Sequence, residues 1–187
     1  MPRILLARHG ETAWNAAGRL QGHTDIPLND AGRAQARALA VHLRGHAIAR
    51  VVTSDLSRAH ETGAIIATEL GLPAPLVEPE LRERRFGIFE GLTRDEIIAR
   101  YPESWNHWKQ AIAAPEGGEL HADSVERISR ALHRLWAQLA DTALVISHGG
   151  VMRLWLSDLM GTQLPGITNG ATFVVEHDGS VFRARPL

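Results

Sequence analysis

The chain has 187 residues, 44% of them apolar and 22% charged, with a formal net charge of −1 and no cysteine. That length fits one domain, residues 1–187, with a sizeable core. The near-neutral balance gives no global basic footprint for nucleic acid, and the missing cysteine excludes disulfides, thiolate catalysis and Cys-based metal sites. The N-terminal apolar run is too short for a signal peptide and no segment is long and apolar enough to span a bilayer, so a cytoplasmic location without membrane contact is expected.

The first element predicted is a short buried strand over Ile4–Ala7, broken by Arg8-His9-Gly10. In an open α/β sheet ligands bind at the carboxyl ends of strands. A neutral histidine can attack phosphorus, and an adjacent guanidinium can grip two phosphate oxygens. Taken alone, an Arg-His pair is more often a core histidine beside a surface arginine. Gly18–Leu28 reads as a loop. Asn29 or Asp30 then caps a helix with Ala36, Leu39, Ala40 and Leu43 at helical spacing, stopped at Gly45. Arg50–Thr53 is a second buried strand. Ser54 or Asp55 is expected to cap the helix that follows, whose inner face is Ala59, Gly63, Ile66, Ala67 and Leu70. Arg58 falls in its first turn, where free N–H groups and the helix dipole favour phosphate.

Leu76–Phe89 alternates in charge and reads as loop. Two short helices follow, Glu96–Arg100 and Glu103–Ile112, separated by Pro102. This region holds Phe86, Phe89, Tyr101, Trp105 and Trp108, either a satellite hydrophobic cluster or a lid over a pocket. Asp123 or Ser124 is expected to cap a longer helix carrying Val125, Ile128, Leu132, Leu135, Trp136 and Leu139. Thr142–Ser147 is a third buried strand, and it ends in His148-Gly149-Gly150, repeating the strand–histidine–glycine pattern. A helix over Val151–Met160 follows. Thr172–Glu176 and Ser180–Phe182 flank His177-Asp178-Gly179 and predict an antiparallel edge hairpin. Strands alternating with helices predict a three-layer α/β/α sandwich with a mostly parallel sheet. Both strand-end histidines then share one edge of it.

With these motifs in place the chain resembles the histidine phosphatase superfamily, whose fold is shared with cofactor-dependent phosphoglycerate mutase. The resemblance rests on Arg8-His9-Gly10-Glu11-Thr12-x-x-Asn15, Gln21-Gly22 with Asp25-x-Pro27-Leu28, Ser54–Thr62 around Arg58, Leu81–Thr93 around Glu83, and Ser147–Gly150. These occur in family order from Ile4 to about Asn169. Two departures are visible: Leu120 stands where serine is usual after Gly-Gly-Glu, and Gly63 where alanine is usual.

The resemblance implies a role for each residue. His9 attacks phosphorus and carries it as phosphohistidine. Arg8, Arg58 and His148 surround the transferring group, with His148 protonated as a further positive donor. Glu83 protonates the leaving oxygen and then activates water. Asn15, Gln21, Gly22 and Gly149 join Arg8, Arg58 and His148 in binding substrate. No metal and no cofactor is implied, because the arginines supply the charge. The remaining histidines, His23 included, are expected to be surface positions. The partner is a small phosphorylated metabolite, with the chain a monomer or homodimer.

Three function classes follow: a phosphatase for small phosphomonoesters, a phosphoglycerate mutase, and a non-catalytic phosphate-binding module. The full set of Arg8, His9, Arg58, Glu83 and His148 disfavours the third, since a binder needs neither nucleophile nor acid. The single lysine of the segment between Glu83 and His148, Lys109, speaks for the first, since a phosphoglycerate site would want several extra cations.

Overall fold

A computed structural model describes residues 2–187. One sheet of six strands runs in the order β3-β2-β4-β1-β5-β6, with β1 Ile4–Arg8, β2 Ile48–Thr53, β3 Leu76–Val77, β4 Thr142–Ser147, β5 Thr172–His177 and β6 Phe182–Pro186. The pairs β1/β4, β2/β4 and β2/β3 are parallel; β1/β5 and β5/β6 are antiparallel. Seven helices surround it: α1 Ala13–Ala16, α2 Asp30–His42, α3 Ser57–Glu69, α4 Arg94–Arg100, α5 Pro102–Lys109, α6 His121–Ala137 and α7 Gly149–Met160.

The strands are apolar runs because both faces are covered. Ile4 and Leu6 of β1, with Val145 of β4, pack against Ile128, Leu132, Val151 and Met152 of α6 and α7. The alternate residues Leu5, Ala7, Leu144 and Ile146 pack against Leu39, Ala40, Ala59 and Ile66 of α2 and α3. The period of two along β1 and β4 thus splits one strand pair between two cores. The expected sandwich is therefore the observed one. Its α2–α3 layer meets β2 closely at Gly63, where a Cβ would lie 2.3 Å from Thr53 Cγ2.

Several boundaries differ from expectation. Strand β3 went unread: its two residues are exposed on the sheet edge and carry no burial pattern. The edge hairpin forms, but its second strand is Phe182–Pro186, and a four-residue loop after His177 replaces the expected His177-Asp178-Gly179 connection. Asp178 Oδ1 holds that loop by accepting from Ser180 and Val181 N–H, both at 3.0 Å. Asn29 caps α2 as expected, accepting from Gly32 N–H at 2.8 Å. Helix α6 starts at His121, ahead of Asp123 and Ser124, whose hydroxyl instead donates back to the His121 carbonyl. Neither Ser54 nor Asp55 caps α3. The cap comes from the preceding loop: Asp25 Oδ1 accepts from the Ser57 N–H and hydroxyl, each at 2.8 Å.

Phe86, Phe89 and Ile97 form a third buried cluster, covered by Tyr101, Trp105 and Trp108 of α4–α5 and the residues flanking them. The satellite cluster is thus present, and the aromatic rings pack edge to face and tilted within it.

Candidate active site

The parallel register between β1 and β4 pairs Arg8 with Ser147, so the residues that follow, His9 and His148, leave the sheet side by side. Their ring centroids are 5.0 Å apart. Two histidines far apart in sequence become neighbours because their strands are neighbours.

His9 is 2% exposed, and its Nδ1 lies 2.6 Å from the Gly10 carbonyl. A carbonyl only accepts, so Nδ1 carries the proton and Nε2 keeps its lone pair. Burial, then the charges of Arg58 and Arg8, hold the His9 pKa well below the ordinary histidine value. The neutral, nucleophilic form is the stable one. Asn169, which the sequence reading did not single out, donates to the His9 carbonyl at 3.0 Å. Thr62 on α3 accepts the Gly10 N–H and donates to the Arg58 carbonyl, tying the histidine turn to that helix.

Arg58 is fully buried, with Nη1 on the Thr24 carbonyl and Nη2 on the Gly22 carbonyl, while Nε has no partner. Burial pushes its pKa down to about 10. Arg8 donates Nη1 to the Ile167 carbonyl and likewise keeps a buried, unpartnered Nε. Two oriented guanidiniums with spare N–H donors make a preformed anion cradle. Gly149 lies against Arg8, and a Cβ there would sit 2.9 Å from Nε.

Glu83 is 8% exposed and caps α7 from outside. Its Oε2 accepts from Gly150 N–H at 2.8 Å; its Oε1 accepts from Val151 N–H at 2.7 Å and from Arg84 N–H at 2.8 Å. This explains why α7 begins at Gly149 rather than Val151, with His148 as its N-cap. It also explains Gly150, where a Cβ would press to 2.6 Å from Glu83 Oε1.

His148 departs from expectation. It is fully buried, neither ring nitrogen has a partner, and its pKa is held well below the ordinary value. Burial comes first, then the positive fields of Arg58, His9, Arg8 and His23. It is therefore neutral in the ligand-free protein rather than a standing cation. His23 also departs from expectation: it is half-buried and its Nε2 donates to the Glu83 carbonyl at 2.8 Å.

The cleft these groups form holds about 220 Å³ and is lined by Arg8, His9, Asn15, Gln21, Gly22, Arg58, Glu83 and Gly149, with Arg153 and Phe86 at its side. Every expected site residue except His148 lines it; His148 sits behind His9. Asn15 Oδ1 is engaged by Thr12 in the α1 capping box, and Gln21 Oε1 accepts from the Thr12 hydroxyl at 3.0 Å, so both present their amide NH₂ to a ligand. Gly22, at φ +55, turns its carbonyl to Arg58. Leu120 lies outside the cleft.

A larger hollow, about 1140 Å³, lies between α5, α6 and α7 and shares Arg153 with the cleft. Trp105, Trp108, Arg94, Lys109 and Leu154 line it. Its cations Arg94, Lys109 and Arg153 share the lining with the acids Glu126 and Asp158. Arg19 and Arg153 are lining cations the sequence reading did not single out; the one signal for Arg153 was a lone cation on α7.

The family model for the histidine phosphatase superfamily (branch 1) matches residues 4–185. The chain is 39% identical over 155 residues to phosphoglycerate mutase-like protein 4 of Arabidopsis thaliana, covering 80% of this chain and 67% of that one. Among solved structures it is similar to a mycobacterial glucosyl-3-phosphoglycerate phosphatase in complex with VO₃, at TM-score 0.88 and 29% identity, covering 98% and 97% of the two chains. It is also similar to a putative alpha-ribazole-5'-P phosphatase of Escherichia coli, at TM-score 0.85 and 30% identity, covering 99% and 95%.

Proposed function

For a chain that belongs to the histidine phosphatase superfamily, we propose the activity of a phosphatase that hydrolyses small phosphomonoesters through a phosphohistidine on His9. The observation that carries this reading is the neutral His9 ring beside Arg8, Arg58 and the Glu83 carboxyl in one cleft. The phosphoryl group sits between the spare N–H donors of Arg8 and Arg58, which stabilise charge on its equatorial oxygens. His9 Nε2 attacks phosphorus as the bond to the leaving oxygen breaks, and Glu83 gives that oxygen a proton. Oε1 already accepts two N–H groups and Oε2 one, so Oε2 is the oxygen with room for the proton. Glu83 then takes a proton from water, whose oxygen attacks phosphorus while the bond to Nε2 breaks. Phosphate leaves, and His9 and Glu83 regain their first states. A bound dianion supplies the opposite charge His148 lacks, so the ring behind His9 takes up a proton with the substrate and adds its charge to the site.

The cleft suits the phosphoryl group, and the hollow beyond Arg153 gives a leaving group room to extend. The phosphatase names of the two structural neighbours support hydrolysis; the mutase-like name of the plant relative favours the second reading. No step here calls for a metal, and a cytoplasmic place and small phosphorylated substrates complete the reading. Among the described residues no helix is long and apolar enough to cross a membrane.

The test quenches the protein after brief incubation with labelled substrate. An acid-labile, alkali-stable phosphoenzyme is expected, and His9→Ala abolishes it; persistence in that variant overturns the assignment. Supplying 3-phosphoglycerate with 2,3-bisphosphoglycerate separates the two enzymes. Release of phosphate without 2-phosphoglycerate supports the phosphatase, and fast interconversion makes the chain a mutase.

A further inference from the structure

We propose that Arg127 of α6 is the positioning residue for Glu83, acting from outside the cleft. Its guanidinium has five N–H donors, and all five are used. Nε and one Nη2 hydrogen fork onto Glu119 Oε1 and Oε2, both at 2.8 Å. Nη1 donates to the Glu80 carbonyl at 2.7 Å and the Arg82 carbonyl at 2.9 Å, and Nη2 to the Glu83 carbonyl at 3.2 Å. Of these partners only Glu83 lines the cleft, and Arg127 meets its main-chain carbonyl rather than its carboxyl.

The need for such a strut follows from the backbone. After the turn at Pro79–Leu81 the acid-bearing segment has no strand partner through Arg85, so its carbonyls find no ladder. Arg127 supplies two of those partners, at Arg82 and Glu83, together with one on Glu80 inside the turn, and His23 joins it on the Glu83 carbonyl. Glu119 fixes the fork in turn. Its own N–H donates to the Arg85 carbonyl at 2.9 Å, closing a short bridge that includes Phe86 and Gly118. Glu83 is therefore held at both ends: its carboxyl by the start of α7, its carbonyl by α6. Removing Arg127 leaves the backbone end to His23 alone, with the Glu80 and Arg82 carbonyls no longer tied to α6, while the carboxyl stays on α7, so the acid shifts rather than detaches.

This inference rests on Glu83 being the acid, and the experiment separates the two claims. The full chain and its Glu83→Gln, Arg127→Met and Arg127→Lys variants are assayed on aryl phosphates of graded leaving-group acidity, from 4-nitrophenyl to phenyl, and on an alkyl phosphate. A displaced acid matters most where the leaving oxygen needs its proton. Arg127→Met is expected to lower kcat about tenfold or more for the poor leaving groups and only a few-fold for 4-nitrophenyl phosphate, with KM within about twofold, on the scale of a misplaced general acid. Arg127→Lys, a charge without the fork, falls between. In the double variant with Glu83→Gln, loss of Arg127 adds no further leaving-group dependence. A merely structural role would lower all substrates alike and multiply with Glu83→Gln, and either result overturns the proposal. If Glu83→Gln itself shows no leaving-group dependence, the acid assignment falls and this inference with it. If Arg127→Met does not fold, Glu119→Gln, which weakens the fork and keeps the carbonyl bonds, must show the same leaving-group trend at smaller scale, and its absence also overturns the proposal.

Discussion

Acidification from pH 7.5 to 5.5 should destabilise this protein through two buried rings. His9 and His148 both have pKa values well below the ordinary value of 6.5, because burial and the neighbouring arginines oppose the charge. In the unfolded chain each binds a proton near pH 6.5; in the folded chain neither does until far lower. Stability from these groups is complete above the unfolded pKa and is lost as pH falls below it toward the folded one. Between pH 7.5 and 5.5 each withheld proton is worth about 1.4 kcal/mol, so the pair contributes about 2.7 kcal/mol, a large share of a typical domain's stability. The half-buried His23, also lowered chiefly by burial, adds in the same direction. The carboxyls of Asp55 and Glu119, held low by Arg82 and Arg127, titrate below this window. Urea unfolding followed by tryptophan fluorescence at the two pH values measures the difference. His148→Asn should shrink it by about 1.4 kcal/mol, whatever it does to stability at neutral pH. Equal stability of the parent protein at both pH values, or an unchanged difference in His148→Asn, would refute the reasoning.

Activity should survive EDTA and be inhibited by vanadate, which adopts the five-coordinate geometry of the transferring phosphoryl group; loss in EDTA restored by a divalent metal would remove the arginine-only account of charge. Gly150→Ala drives a Cβ against Glu83 Oε1, and should cost about 1–3 kcal/mol in urea melts while lowering kcat more than KM; wild-type kinetics would show that the carboxyl has slack. Asp25→Ala removes the remote cap of α3. A stability loss of about 1 kcal/mol is expected, with a raised KM because Arg58 sits in the first turn of that helix; an unshifted melting temperature would argue that Ser57 is capped by solvent.

What the sequence disclosed was local. Strands β1, β2 and β4 announce themselves as apolar runs because helices cover both faces, and the two histidines stand at strand ends for the same reason. Asn29 caps its own helix and is readable three residues ahead of its partner. The caps of the two helices that face the cleft are not local. Asp25 serves α3 and Glu83 serves α7 across long stretches of chain, so the starts of those helices were misplaced by any reading of neighbours. The state of His148 was hidden for a related reason: its neutrality comes from Arg8, Arg58 and full burial, which only the assembled site provides. Arg127 looked like one more cation on an amphipathic helix until its five acceptors were in view.

The strand order has a consequence for how such a chain comes into being. β1 and β2 are not partners; each is hydrogen-bonded to β4, which enters between them. A nascent chain synthesised only as far as Ala140 therefore has both arginines of the cleft but lacks the strand that spaces β1 from β2, and only the Thr62 bonds join the two segments. Closing the sheet demands contacts between residues far apart along the chain, which sets a slow, cooperative final step. On the proposed reading, phosphate affinity, nucleophile and acid should appear together at that step, once the third long strand has emerged.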